Sequence, residues 1–214
     1  METLNVQDFA DILKNVTEII TENCTKLCEL DSVVGDGDHG TTIQRGVKAA
    51  QEKVDTMAPD QIQKILATFA MGMVSSMGGA SGPIFASLFQ GMAIASAGKS
   101  TVNAEEIITM LESGLDKIVT LGKAEEGDKT LVDSLAPAIR AGKEVVGNGL
   151  VETLTAVHKG ALEGVENTRK MISKKGRSRY AGERGLGHPD AGATSISLIL
   201  QCFSDHVNKG AAHA

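Results

Sequence analysis

The chain has 214 residues, 42% of them hydrophobic and 22% charged, a balance that suits a globular domain and excludes general disorder. Its 21 basic against 27 acidic residues, net −6, lack the basic footprint of a nucleic-acid-binding protein. The three cysteines form no disulfide framework, no basic-then-apolar leader is visible, and no apolar run is long enough to span a bilayer. A cytoplasmic protein with neither nucleic acid nor membrane as partner is therefore expected.

Aromatic residues make up only 3%, with no tryptophan and a single tyrosine, Tyr180, so the core has to come from aliphatic residues and from close helix packing through Ala and Gly. From about Asp8 to Leu30, Phe9, Ile12, Leu13, Val16, Ile19, Ile20 and Leu27 recur at helical spacing. Cys24 and Cys28 share one side of that helix as thiols rather than metal ligands, since nothing nearby completes a metal site.

The run Asp31-Ser-Val-Val-Gly35-Asp36-Gly37-Asp38-His39-Gly40 follows, with three carboxylates inside eight residues. Such a loop repels itself unless a cation sits among the carboxylates, and oxygen-only ligands suit a hard ion such as Mg²⁺ or Ca²⁺. The spacing is not that of an EF-hand. Mg²⁺ keeps coordination positions open for phosphate oxygens, which points to a phosphorylated ligand. The plainer alternative is a solvated Asp/Gly turn.

Further helices are expected from Gly40 through Lys53 and after Pro59-Asp60, with Ile62, Ile65, Leu66, Phe69 and Met73 on one face. The segment Met77-Gly78-Gly79-Ala80-Ser81-Gly82-Pro83 then precedes a small-residue helix to about Ala97. Small residues ahead of a helix N-terminus let a phosphate reach unpaired N–H groups; the same glycines would serve equally in a tight helix–helix turn. Asn103 caps the next helix, which carries Glu105 and Glu106 in its first turn.

Gly122 to Asp133 contains Gly127-Asp128-Lys129-Thr130, a turn that opens a helix running to Val146. It reads equally as an anion contact and as an ordinary cap by Thr130 and Asp133. A helix from Val151 to Ser173 leads into a long loop, Lys174 to Ala191, with the densest basic cluster of the chain: Lys174, Lys175, Arg177, Arg179 and Arg184. Long loops of this kind act as lids or binding loops. A last helix from Ala191 to Val207 makes eight. No period-two run of β-branched residues accompanies them, so no strand feeds a Walker or dinucleotide-binding loop. The expectation is a single-domain all-α bundle with any nucleotide site in loops at its end. His158, His206 and His213 receive no role.

With these segments the chain resembles the L (nucleotide-binding) subunit of bacterial dihydroxyacetone kinase. The matching strings are Gly35-Asp36-Gly37-Asp38-His39-Gly40, Gly78-Gly79-Ala80-Ser81-Gly82-Pro83, Gly127-Asp128-Lys129-Thr130, Gly176-Arg177, Gly182-Glu183-Arg184 and Gly187-His188, in the family's order from about Asp31 to Ser195. The resemblance implies a barrel of eight antiparallel helices spanning residues 1–214 as one nucleotide-binding domain. It implies that Asp31, Asp36 and Asp38 hold two Mg²⁺ ions bridging the phosphates of ADP or ATP. His39, Gly40, Thr41, Thr42, Ala80 and Ser81 would contact the phosphates. Gly122, Thr130 and Leu131 would surround the adenine and ribose, and Arg177, Asp190, Ala191 and Gly192 would come from the covering loop. Two positions depart from the family pattern: Thr42 stands in place of asparagine and Ala191 in place of proline.

In this family the sugar sits on a separate K subunit, and a chain of this length accommodates only the nucleotide half. The implied reaction passes a phosphoryl group from the nucleotide to dihydroxyacetone, with no nucleophile or general base from this chain. ADP would stay bound and be rephosphorylated by a phosphohistidine on an M subunit of the phosphotransferase system. The alternatives are an ATP-dependent kinase for dihydroxyacetone or another short ketose, and a nucleotide-loaded regulatory partner. A homodimer stays open.

Overall fold

The structure, a computed structural model, describes residues 1–79 and 81–212. Ala80 and His213, both considered above, lie outside the described residues. Among the described residues nine α-helices follow in order: α1 (Val6–Glu22), α2 (Cys24–Ser32), α3 (His39–Asp55), α4 (Ile62–Ser76), α5 (Ser81–Ala95), α6 (Ala104–Gly122), α7 (Val132–Val145), α8 (Leu150–Asn167) and α9 (Ala191–Ala212). Eight of them close a ring. Contacts run from α1 to α3 and then stepwise through α4, α5, α6, α7, α8 and α9, and α9 returns to α1. The ninth, α2, packs across α3 and α9.

The single helix expected over Asp8–Leu30 is two. Asn23 breaks it: its backbone N–H and its side-chain Nδ2 both donate to the Ile19 carbonyl, at 3.0 and 2.9 Å, and the chain turns into α2. The helix expected at Pro59 starts at Ile62, because Gln61 is extended (φ −142°, ψ 143°). The helix expected to reach Ser173 ends at Asn167, followed by a 3-10 turn, Thr168–Lys170. There the buried Thr168 hydroxyl turns back to the Val165 carbonyl at 2.5 Å.

A strand pair too short for periodicity to reveal is also present. β1 (Leu4–Asn5) runs antiparallel to β2 (Thr101–Val102), with Leu4 opposite Val102 and Asn5 opposite Thr101. Each strand runs directly into a capped helix. Asn5 with Asp8, and Asn103 with Glu106, each form a reciprocal capping box; the Asn103 cap is the one expected from the sequence, and its return bond to Glu106 is an addition.

The core is aliphatic, with two aromatic pairs: Phe9–Phe203 (centroids 6.0 Å apart) and Phe69–Phe89 (4.9 Å). Close approach of helices is where the glycines matter. A Cβ on Gly91 of α5 would lie 2.3 Å from the Ser113 carbonyl oxygen of α6, and one on Gly164 of α8 would lie 2.2 Å from that of Asp133 on α7. His206 also has a structural place, since its Nε2 meets Asp8 Oδ1 at 2.9 Å and ties α9 to α1.

The alternating ring has one consequence for function. α3, α5, α7 and α9 all begin at the same end of the barrel, and all four first turns, or the residues leading into them, line one cavity of about 740 Å³.

Candidate nucleotide and metal site

One wall is the acidic turn between α2 and α3. Asp31 belongs to the last turn of α2, while Asp36 and Asp38 follow it, and one carboxylate oxygen from each lies within 4.8 Å of the others. The backbone forces this convergence. Val34 and Gly35 donate N–H groups to the Asp31 carbonyl at 3.0 and 2.6 Å, and Asp31 Oδ2 accepts the Asp38 N–H at 3.1 Å. A Cβ on Gly35 would lie 2.4 Å from Asp31 Oδ1, so only glycine leaves that carboxylate its place. Asp38 occupies the N-cap position of α3, yet its side chain makes no capping hydrogen bond. An aspartate that leaves its own helix uncapped is available to a cation. Three hard oxygen donors of this kind fit Mg²⁺.

His39 anchors the start of α3. Its Nε2 lies 2.8 Å from the Ser195 hydroxyl of α9, and its ring lies 5.6 Å from that of Phe85 on α5. Ser195 donates its own proton to the Ala191 carbonyl, so it accepts from His39 Nε2–H. Burial holds the imidazole pKa below its usual value, against the pull of Asp31. Thr42 lines the cavity. Gly40 and Thr41 do not belong to its lining: Gly40 lies where a Cβ would be 2.0 Å from the Cys24 carbonyl, and the Thr41 hydroxyl returns to the Asp38 carbonyl at 2.9 Å.

Opposite stand Gly78, Gly79 and Ser81 at the start of α5, with Gly79 in the left-handed region (φ +69°). Arg45 Nε binds the Ser76 carbonyl at 2.8 Å and fixes the end of α4 just before them. The floor is apolar: Ile84, Phe85, Ile118, Leu121 and Leu131, with Gly122 ending α6. Thr130 also lines the cavity, one residue ahead of Leu131, the N-cap of α7, which makes no side-chain capping bond. Asp133 Oδ2 accepts the Thr130 N–H at 2.7 Å, and Thr130 Oγ1 accepts that of Val132 at 3.2 Å.

The segment from Met171 to Pro189 covers the mouth with two 3-10 turns, Arg177–Tyr180 and Gly182–Gly185. Arg177 reaches across to form an ion pair with Asp36, joining the basic loop to the acidic turn. At the far edge Asp190 Oδ2 accepts the Ala193 N–H at 2.8 Å and so caps α9, while its backbone N–H donates to Thr168 Oγ1 at 2.9 Å. Desolvation pushes the Asp190 carboxyl up to about 6, despite the amide bonds and the Lys129 charge. Ala191 and Gly192 complete that edge.

Of the expected site residues, Asp31, Asp36, Asp38, His39, Thr42, Ser81, Gly122, Thr130, Leu131, Arg177, Asp190, Ala191 and Gly192 thus meet around one cavity. Sequence reasoning missed Ser195, Arg45 and, in the apolar floor, Ile84, Phe85, Ile118 and Leu121. Lys129 belongs to the turn that the sequence left open between an anion contact and a cap, and its ammonium turns away into the loop, donating to the Gly185 and His188 carbonyls at 2.6 and 2.8 Å.

A family model described as "DAK2 domain" matches residues 33–205. The chain is 36% identical over 189 residues to the ADP-binding subunit of the PEP-dependent dihydroxyacetone kinase of Escherichia coli (strain K12), covering 87% of this chain and 90% of that one. It is 32% identical over 203 residues to an L-erythrulose kinase of Pectobacterium atrosepticum, covering 93% of this chain but only 34% of that longer protein. Among solved structures, the dihydroxyacetone kinase of C. freundii in complex with AMP-PNP and Mg²⁺ superposes with a TM-score of 0.71 at 24% identity. That match covers 96% of this chain and 34% of the other, and it establishes the fold.

Proposed function

Because the chain belongs to the DAK2 domain family, that of the ADP-binding subunits of dihydroxyacetone kinase, we propose that it binds Mg²⁺-ADP in the cavity and hands a phosphoryl group to a ketose held by a partner K subunit. The observation that carries this reading is the convergence of three carboxylates with the starts of four helices on one cavity. Helix N-termini supply unpaired N–H groups and a positive field for phosphates.

Asp31, Asp36 and Asp38 would hold two Mg²⁺ ions. When bound, the ions neutralise phosphate charge: about −3 from the carboxylates and about −3 from ADP stand against roughly +4. Everything else falls to positioning, which is most of what phosphoryl transfer asks of a protein. His39 and Thr42 at α3, and Ser81 with Gly78 and Gly79 at α5, meet the phosphates. Gly122, Thr130 and Leu131, with the Ile118–Leu121 floor, take the adenine and ribose. Arg177 folds over the phosphate end, and Asp190, Ala191 and Gly192 close the opposite edge. This chain contributes no nucleophile or general base.

The donor in this reading is a phosphohistidine on an M subunit, which recharges ADP in place. The sugar is chosen by the K subunit, so likeness to both dihydroxyacetone and L-erythrulose kinases is compatible with one nucleotide site.

The test is to denature freshly purified protein, identify released nucleotide by chromatography and assay magnesium alongside. About one ADP per chain, kept through washing, is the expected outcome. An empty protein that binds Mg²⁺-ATP reversibly would replace the retained-ADP mode with ATP exchange, and a protein that binds neither nucleotide nor Mg²⁺ would end the kinase reading. Asp36→Asn is expected to leave the fold intact and to lower transfer to the sugar about a hundredfold or more once partner subunits are supplied.

A further inference from the structure

Lys129 is, among the described residues, the one buried lysine or arginine, with 2% of its surface exposed. An ammonium has three N–H donors and no acceptor. All three are engaged by main-chain carbonyls of one segment: Gly185 at 2.6 Å, His188 at 2.8 Å and Met171 at 3.3 Å. No donor remains for a phosphate, although the side chain borders the cavity. The backbone of Lys129 sits in the left-handed region at φ 58°, which a non-glycine residue enters at a cost. That conformation is retained where surrounding contacts compensate for it.

The preceding residue holds the near end of the same segment. Asp128 is buried, its carbonyl accepts the Lys174 N–H at 3.0 Å, and its carboxylate pairs with Lys174 and Lys175 at 3.3 and 3.5 Å. Hydrogen bonds and these two charges keep its carboxyl below the usual range despite desolvation. Between the two anchors lie Gly176, Arg177, Ser178 and Arg179, all lining the cavity. Arg177 reaches Asp36 from this suspended stretch.

We propose that Asp128 and Lys129 form a clasp that holds the covering segment 171–190 shut, and that Lys129 acts as a positioning residue that sets how fast the nucleotide leaves. Lys129 thus works on the loop's carbonyls and not on the phosphates. The consequence for release rests on the nucleotide reading above; the clasp itself does not.

The experiment uses the full chain and Lys129→Met, which keeps the aliphatic stem and removes the ammonium. Amide hydrogen exchange across 171–190, measured without nucleotide, reads the clasp. Release of a fluorescent Mg²⁺-ADP analogue chased by unlabelled ADP reads its consequence. Loss of charge-assisted hydrogen bonds predicts exchange in this segment, and release, each faster by about tenfold or more, with helix protection elsewhere unchanged.

Wild-type loop protection in the variant, or a loosened loop with unchanged release, would overturn the proposal. Lys129→Arg retains the charge but cannot place three donors around one nitrogen, and is expected to behave like the methionine variant. If arginine restored slow release while the loop stayed loose, Lys129 would be acting on the ligand and the clasp would fail. Should Lys129→Met lose its helical circular dichroism, Asp128→Asn carries the same readouts. A wild-type protein that bound no Mg²⁺-ADP would defeat the nucleotide reading instead, and the exchange measurement would still decide the clasp.

Discussion

Asp190 does two jobs with one side chain. It caps α9 through the Ala193 N–H and stands at the cavity edge, where desolvation raises its carboxyl from the ordinary 3.8 to about 6. The native state therefore holds this proton more tightly than the unfolded chain does. Stability from this group is fully present below about pH 4 and declines as pH rises through about 6. Asp190→Asn keeps a capping oxygen and removes the titration. Unfolding of the two proteins at pH 4 and pH 7.5 should show the variant gaining roughly 1–3 kcal/mol relative to wild type between the two conditions. An identical pH dependence would mean that the carboxyl is not desolvated as described.

At the scale of elements, stability and site geometry meet at α7 and α8. Gly164 lets α8 approach the Asp133 carbonyl so closely that a Cβ would lie 2.2 Å from that oxygen, with Pro137 Cγ at 2.8 Å. The Asp133 side chain in turn accepts the N–H groups of Gly127 and Thr130 and so sets the turn at the cavity wall. Gly164→Ala is expected to lose roughly 1–3 kcal/mol, since backbone rather than a flexible side-chain end obstructs the added methyl. It should also weaken nucleotide binding by displacing Thr130. Gly147→Ala, with nothing within 4 Å of the added carbon, is the control and should stay within about 0.5 kcal/mol of wild type. Denaturant midpoints for the pair decide the matter.

For the whole molecule, the cavity draws on α2, α3, α5, α6, the turn leading into α7, α9 and the covering segment at once. A ligand there binds only the closed ring and not the unfolded chain, so it must stabilise the fold globally. At about one hundred times its Kd, Mg²⁺-ADP should add about 2.7 kcal/mol. Chelating the metal should remove most of that gain if the three aspartates act through Mg²⁺, and a thermal-unfolding series with and without chelator reads both. A chelator-insensitive gain would detach the acidic turn from nucleotide binding.

Much of this protein was legible in the chain because its chemistry is local. The acidic turn lies within eight residues, and helical spacing of apolar residues placed most of the helices near their observed limits. The break at Asn23 escaped because α1 and α2 continue one apolar periodicity, and the strand pair escaped because two residues have no period. Partnerships between distant segments were decided only by the tertiary structure. His39 finds Ser195 across 156 positions, and Lys129 finds the Gly185 carbonyl across 56. No spacing rule reaches that far, and a carbonyl acceptor carries no side-chain signature. The sequence by itself determined which groups could bind a metal and a phosphate. Closure of the ring decided that four helix starts face one cavity, and that the lysine beside it holds the loop: burial of a charge is settled by what packs around it, not by its neighbours in the chain.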